Sequence, residues 1–508
     1  MTVAADPDRL RPAFVALPLS RLASSALERC RDFGVEHADV RIERLTSHAL
    51  SLRDAAVEGS HQGETIGLAV RVVLDGTWGF AATTQLSTDG AVRTAEQAVR
   101  VAQVSRPLAS ERVELAPEPV HEDAVWVSAY DIDPGGVPTA DKTELFAGWS
   151  RDLLRHPAVR HVDVSYADVV ENKFYADLTG TSTTQQRVRL HPEVTVHGAD
   201  EQRGVIDSMR TLAPPVGRGW EFLGGGAGWD WDSELAALPD QLAEKLAAPS
   251  VEAGRFDLVV DPSNLWLTIH ESVGHATELD RALGYEANYA GTSFVTWDSL
   301  GTLQYGSPAM TVTGDRTVEH GLSTVGYDDE GVETQAWDIV RDGVFVGYQT
   351  DRRMAARQGF DRSTGCAFAD SPGNIPIQRM ANVSLQPGSG GPNTDGLLAG
   401  VDDGIYVVGD RSWSIDMQRF NFQFTGQRFY RIRGGRLAGQ LRDVAYQATT
   451  TDFWGSMEAV GGPQTWVLGG AFNCGKAQPG QVAPVSHGCP SALFRDVNIL
   501  NTRTEGGR

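Results

Sequence analysis

Two imidazoles and a carboxylate stand together in the segment His270-Glu271-Ser272-Val273-Gly274-His275, a spacing of HExxxH. Imidazoles are good ligands for a catalytic zinc ion, and a carboxylate beside one of them can take a proton from an activated water. The pattern points to metal-dependent hydrolysis. Its competing reading is a buried amphipathic helix whose two histidines are hydrogen-bonded core residues. The spacing also makes a geometric demand. Residues four apart share a helix face, as in HExxH, but five residues advance about 500° and leave the rings about 140° apart. A regular helix cannot aim both at one ion, so a bend or π-bulge is predicted near Val273-Gly274, eased by Gly274.

The elements that must carry this segment can be read from its flanks. Asp261 suits an N-cap and Pro262 a first turn, while Leu265, Ile269, Val273 and Ala276 recur at helical spacing. The helix should end near Gly284. Two histidines leave a catalytic zinc one protein ligand short, and the richest supply lies far downstream in Asn473-Cys474-Gly475-Lys476-Ala477-Gln478-Pro479-Gly480-Gln481, with Pro484-Val485-Ser486-His487-Gly488-Cys489 after it.

The HExxxH helix followed by Glu278-Leu279-Asp280, together with the late N-C-G-K-x-Q-P-G-Q-x-x-P-V segment, resembles the TldD branch of the TldD/PmbA family of metallopeptidases. Tyr327-Asp328-Asp329-Glu330-Gly331, Gly347 to Arg352 and Pro376 to Asn382 extend the likeness, which is specific from about residue 250 to 490. The resemblance implies that His270, His275 and Cys474 hold Zn2+ while Glu271 is the general base. It further implies a β-rich C-terminal domain, action on extended or unfolded peptides, and a complex with a PmbA-like homologous subunit, with self-association as the other possibility. Because PmbA-like relatives lack the HExxxH set, this chain is expected to be the catalytic member. Two alternatives stay open: a non-catalytic, zinc-containing binding or regulatory subunit, and a metal-dependent amidase for a small molecule.

Other residues near the third ligand permit further roles. Cys474, His487 and Cys489 could form a separate structural zinc cluster, although C-x12-H-x-C is not a usual spacing for one. Cys489 otherwise reads as packing. His487 reads as a loop histidine or as a donor to the oxyanion of a scissile carbonyl. Asp328-Asp329-Glu330-Gly331 reads as a solvated turn in preference to a second metal site. Arg379 and Asn382 could hold a substrate backbone or carboxylate, or make structural contacts.

A chain of 508 residues, 41% hydrophobic, can bury at least two cores. The net charge of −22 argues against nucleic-acid binding, which needs clustered Lys and Arg. Met1 to Pro18 lacks a continuous apolar region, and no run is long enough to span a bilayer, so a cytoplasmic protein without a membrane segment is expected. Four cysteines, at 30, 366, 474 and 489, do not make a disulfide framework.

In the first half, Leu22 to Phe33 reads as a helix stopped by Gly34, and Ala38 to Arg44 as a strand. Ile66 to Leu74 and Thr77 to Ala82 flank the tight-turn pair Asp75-Gly76, and a helix covers Gly90 to Val104. A long connection (106–137), a helix from Lys142 to Leu154 and strands between Arg160 and Val196 follow. Gly217 to Trp231, with Gly224-Gly225-Gly226-Ala227-Gly228, reads as a flexible loop bordering the cleft. A helix from Ser233 to Ala247 leads to the second half, where Ile339 to Gln349 folds back at Asp342-Gly343 and Phe420 to Arg433 alternates. The expected class is α+β: an N-terminal mixed α/β domain (1–250), then a β-rich C-terminal domain (251–508) built as an antiparallel sheet or open barrel and carrying the distorted metal-binding helix.

Overall fold

The computed structural model describes residues 9–224, 228–476 and 479–505. Part of the glycine run (225–227), and Ala477 and Gln478 of the late motif, lie outside the described residues. The chain is α+β. Its first sheet runs in the order Thr77–Thr83, Ala56–Leu74, His37–Arg53, His161–Asp177, Ser182–Asp200, Ala124–Val127, and Val205–Arg210 also pairs with Ser182–Asp200. Most neighbours are antiparallel; Ala124–Val127 is parallel to its partner. The tight turn forms where the sequence places it, with positive φ at Asp75 (52°) and Gly76 (71°), the left-handed geometry that matches strand twist.

Strand alternation gives this sheet two unlike faces. Ala38, Val40, Ile42, Leu68, Val70 and Val72 pack on the helices Leu19–Asp32 and Thr88–Ser105, while Val162, Val164, Leu190 and Val194 pack on Thr139–Leu153 and Trp231–Ala247. The intervening side chains include Asp39, Arg41, Glu43, Arg71, Glu171, Lys173, Arg187 and Arg189, and all are buried. They meet the second half of the chain: Arg71 binds Glu330 at 2.7 Å, Lys173 binds Asp329 at 2.8 Å, and Gln185 Oε1 accepts from Gly326 and Tyr327 N–H. The acidic run Asp328-Asp329-Glu330 is thus buried, with Asp329 and Glu330 ion-paired and Asp328 accepting from Glu330, Val332 and Ala367 N–H, which corrects the solvated-turn reading.

In the second half, Asp403–Ile415, Gly254–Val260, Ala492–Asn501, Val444–Thr449 and Asn421–Arg433 form a ring that closes by pairing of the last strand with the first. Asp403–Ile415 and Gly254–Val260 are parallel; the other ring pairs are antiparallel. A smaller sheet of Val344–Phe345, Ala336–Arg341, Val312–Asp315 and Asn382–Leu385, and a two-stranded ribbon of Val467–Lys476 with Gln481–Cys489, complete the unit. The helix Pro262–Ile269 lies against ring and ribbon, and Leu265, Ile269, Val273 and Ala276 enter their common core. The Gly/Trp-rich stretch departs from the loop expected at the cleft: Trp231 is buried, and Trp220 and Trp229 pack partly, in the core of the first half. No helix among the described residues is long and apolar enough to cross a membrane.

Candidate metal centre

Asp261 caps the helix by accepting from Ser263 N–H at 3.0 Å, and Pro262 occupies its first turn. The α-helix holds only to Ile269. His270–Gly274 widens into a π-turn, in which His275 N–H bonds His270 C=O, and His275–Thr277 tightens into a 3₁₀ turn. The helix also breaks at Glu278, whose ψ of 117° is extended, and resumes only for Leu279–Ala282 before Gly284. The single helix expected to reach Gly284 is therefore an α-helix, a π-turn, a 3₁₀ turn and a short α segment. The extra residue in the wide turn swings the second imidazole toward the first, bringing the ring centroids to 4.7 Å.

The turn is held from outside. Gln349 Nε2 donates to Gly274 C=O at 2.7 Å, Trp454 Nε1 donates to Ser272 Oγ at 2.9 Å, and the Tyr305 hydroxyl donates to Ser272 C=O. A Cβ on Gly274 would stand 2.4 Å from Met380 Sδ. On the ribbon, a bulge between Ala471 and Cys474 presents the Cys474 thiol, and Arg379 donates to both Cys474 C=O and Gln481 C=O. Arg379 is thereby a clamp on the ribbon. Asn382 likewise ties Ser323 and Ser486 N–H to Asp315 C=O, and both Arg379 and Asn382 are buried and make structural contacts.

Cys474 Sγ lies 3.5 Å from His270 Nε2 and 3.6 Å from His275 Nε2. The three donor atoms all fall within 4.8 Å of one another and form the one such group among the described residues. Tetrahedral zinc with N and S bonds of ordinary length places N and S about 3.5–3.6 Å apart, so the donor set has the size and chemistry that zinc requires. Cys489 is elsewhere, packed in the core with its thiol pushed up by burial. The separate Cys474/His487/Cys489 cluster is thus not formed.

Hydrogen bonding selects the ligating nitrogen of each ring. His487 Nδ1 lies 2.7 Å from Val383 C=O, which can only accept, so this nitrogen carries the proton and Nε2 is left as an acceptor. His270 Nδ1, 2.7 Å from that Nε2, must then be the donor, leaving its own Nε2 lone pair facing Cys474. His275 Nδ1 donates to Glu278 Oε2 at 2.9 Å with the same result. Burial lowers the pKa of all three rings, and for His487 the neighbouring His270 adds to it, which keeps them neutral as ligation demands. His487 is wholly buried and spends both nitrogens inside the protein, so it orients His270 and cannot serve a substrate oxyanion.

Glu278 anchors the polar surroundings. Besides His275 it accepts from Arg281 Nε at 3.2 Å and Lys476 Nζ at 3.1 Å, and Lys476 also bonds Asp280 at 2.8 Å. Burial acts to raise the Glu278 carboxyl, but Lys476, His275 and Arg281 override it and hold it well below the usual range. The Cys474 thiol is also lowered, although burial, the largest influence, opposes this: His275 and Arg379 prevail and favour the ligating thiolate. Glu271 accepts from Arg419 Nη1 at 3.1 Å through Oε2, and Oε1 has no protein hydrogen bond among the described residues. Arg419 stands at a turn with φ of 63°, fixed by Asp416, whose carboxylate accepts from Gln418, Phe420 and Asn421 N–H. Sequence reading missed Glu278, Lys476 and Gln349 as site-builders although all three lie in the quoted motifs; nothing in the local sequence marks Arg419.

Relatives match this chain over nearly its whole length. A Methanothermobacter thermautotrophicus metalloprotease is 27% identical, with 92% of this chain and 96% of that protein covered. A Saccharolobus solfataricus zinc metalloprotease TldD homolog is 24% identical over 93% and 98% of the two chains. TldE from Thermococcus kodakarensis has the same fold, with a TM-score of 0.68, 14% identity and coverage of 94% and 99%. A Thermotoga maritima crystal structure superposes with a TM-score of 0.75 at 16% identity over 95% and 100%. Residues 253–501 match the PmbA/TldA metallopeptidase C-terminal domain and residues 38–102 match PmbA/TldA metallopeptidase domain 1. With both matched segments in order and the His-His-Cys donors gathered inside the second, the chain belongs to the PmbA/TldD metallopeptidase family.

Proposed function

We propose that the protein is a zinc-dependent peptidase for extended or unfolded peptides, in which His270, His275 and Cys474 hold the metal and Glu271 is the general base. The observation that carries the reading is the pair of N–S separations, 3.5 and 3.6 Å, between nitrogens whose lone pairs are freed by His487 and Glu278. Bound zinc supplies Lewis acidity and lowers the pKa of water. Glu271 takes the proton of the attacking water on its unbonded Oε1 and returns it to the leaving amine, while Arg419 fixes the carboxylate through Oε2. A purely structural site would have no use for such a base.

An extended substrate is favoured by the ribbon. Among the described residues, Val467–Lys476 pairs only with Gln481–Cys489, so the strand bearing Cys474 has a free edge for backbone hydrogen bonds from a peptide. We extend the proposal to a cytoplasmic assembly in which this chain is the catalytic member beside a PmbA-like homologous subunit, or pairs with itself. The test is mass spectrometry of a disordered peptide incubated with zinc-loaded protein, with and without that subunit, beside Glu271→Ala. Fragments made only with intact Glu271 are expected. Absence of fragments from every combination, or equal cleavage by Glu271→Ala, rejects the peptidase reading.

A further inference from the structure

Away from the metal, a cavity of about 380 Å³ opens between the first sheet and the 317–324 segment. Arg187 and Arg189 line it, with Trp126, Ala129 and Leu322 as apolar walls and exposed Glu319 at the rim. Both arginines are more than nine-tenths buried. They project from alternate positions of Ser182–Asp200, hence on one face, and share a single carboxylate, Glu171, at 2.8 and 3.0 Å. Lys173 also draws on Glu171, at 3.4 Å. Lys173 has its own closer carboxylate in Asp329, at 2.8 Å, so Glu171 is the one carboxylate hydrogen-bonded to both arginines among the described residues.

The donors are also underused. Among the described residues, Arg187 Nε is buried with no hydrogen-bond partner, and Arg189 makes one hydrogen bond, from Nη1 to Glu171. A guanidinium offers five N–H donors, and a buried one without acceptors is destabilised. Burial and the adjacent Arg187 push the Arg189 guanidinium down to about 10, the direction an added anion would reverse. Forked donors beside an apolar wall fit the flat, two-oxygen geometry of a carboxylate joined to an apolar body.

From two buried guanidinia with spare donors facing a cavity whose walls include Trp126, Ala129 and Leu322, with Arg9 and His320 also lining it, we infer a second binding site, for a carboxylate on an apolar group, supplied either by a small acid or by the C-terminus of a peptide. It is separate from the metal donors but lies directly behind their scaffold. Arg187 Nη1 donates to Leu322 C=O, Leu322 N–H donates to Ser486 Oγ, and the next residue is His487. Arg189 also stands 6.0 Å from the ring of Phe472, two residues before Cys474.

Calorimetry on the zinc-loaded protein tests the inference, because phenylacetate cannot be hydrolysed and its binding is read whether or not the protein is a peptidase. Phenylacetate should bind and neutral 2-phenylethanol should not. Arg189→Gln should weaken phenylacetate at least tenfold. Ala129→Trp, which fills the cavity and leaves both arginines in place, should do the same and decides the matter if Arg189→Gln does not fold. Gly-Gly-Phe as free acid and as amide, titrated into Glu271→Ala so that neither is consumed, separates the sources: preference for the acid assigns a peptide terminus, and binding of phenylacetate alone assigns a small acid. No phenylacetate binding together with equal affinity for acid and amide, or phenylacetate affinity unchanged by the substitutions, overturns the site.

Discussion

Glu278→Gln offers a sharp test of how the metal centre is built, because it changes one buried carboxylate and almost no volume. Oε2 accepts from His275 and Arg281 and Oε1 accepts from Lys476, so both oxygens are engaged by donors. Glutamine has one oxygen and one NH2. Either orientation sets that NH2 against a donor, and Lys476 and Arg281 lose the charge that balances them, leaving Asp280 as the carboxylate at Lys476. Breaking a buried ion pair on one side costs about 3–5 kcal/mol, and Lys476 can recover part of this from Asp280, so about 3 kcal/mol of stability should be lost. Loosening the His275 ring should also weaken zinc about 10- to 100-fold, or about 1.4–2.7 kcal/mol. Chelator competition gives the affinity, and urea unfolding of metal-free protein gives the stability separately. An affinity within twofold of the parent would refute the claim that Glu278 sets the His275 tautomer.

Cys474→Ser should abolish stoichiometric zinc binding in the same chelator assay, with hydrolysis falling alongside, since the hydroxyl replaces the thiolate donor. Stripping the metal should lower the thermal midpoint and zinc should restore it; at a free concentration 100 times the Kd the difference is about 2.7 kcal/mol, and an unchanged midpoint would show that the donors bind nothing. Gly274→Ala should destabilise by about 1–3 kcal/mol because the new methyl meets Met380, and in a double-mutant cycle Met380→Ala should make the effects less than additive. Asp39 supplies a pH test: burial acts to raise its carboxyl, but Arg71 and His37 hold it at about 2, below the unfolded 3.8. Its stabilisation, about 2 kcal/mol, is fully present above pH 3.8 and is lost as pH falls through about 2. Urea titrations between pH 2 and 6 should show this slope, and Asp39→Asn should remove it.

The π-turn was legible because five-residue spacing is incompatible with one helix face, a purely geometric conflict that His270 and His275 could resolve in few ways. Cys474 was reached through motif likeness; no periodicity links residues 199 apart in sequence to one ion. Glu278 and Lys476 were quoted only as motif residues and Arg281 was passed over, because their contacts depend on the ribbon folding against the short helix. The same blindness affected Asp328-Asp329-Glu330, and the alternation of Asp39, Arg41 and Glu43 looks like a solvated face until the second half of the chain covers it. His487 was misjudged as a loop residue because its role is fixed by Val383 and His270, both remote in sequence.

The distance along the chain between the wide turn and the ribbon has a consequence for synthesis. At about 5–20 residues per second, the 199 residues from His275 to Cys474 take about 10–40 s to translate. Throughout that interval a nascent chain holds His270, Glu271 and His275 but lacks Cys474, and the ribbon that carries it lies close in sequence to the strand Ala492–Asn501. The three donors are therefore together only after the ribbon has been made, so a chain stalled or truncated before Cys474 emerges without a complete donor set.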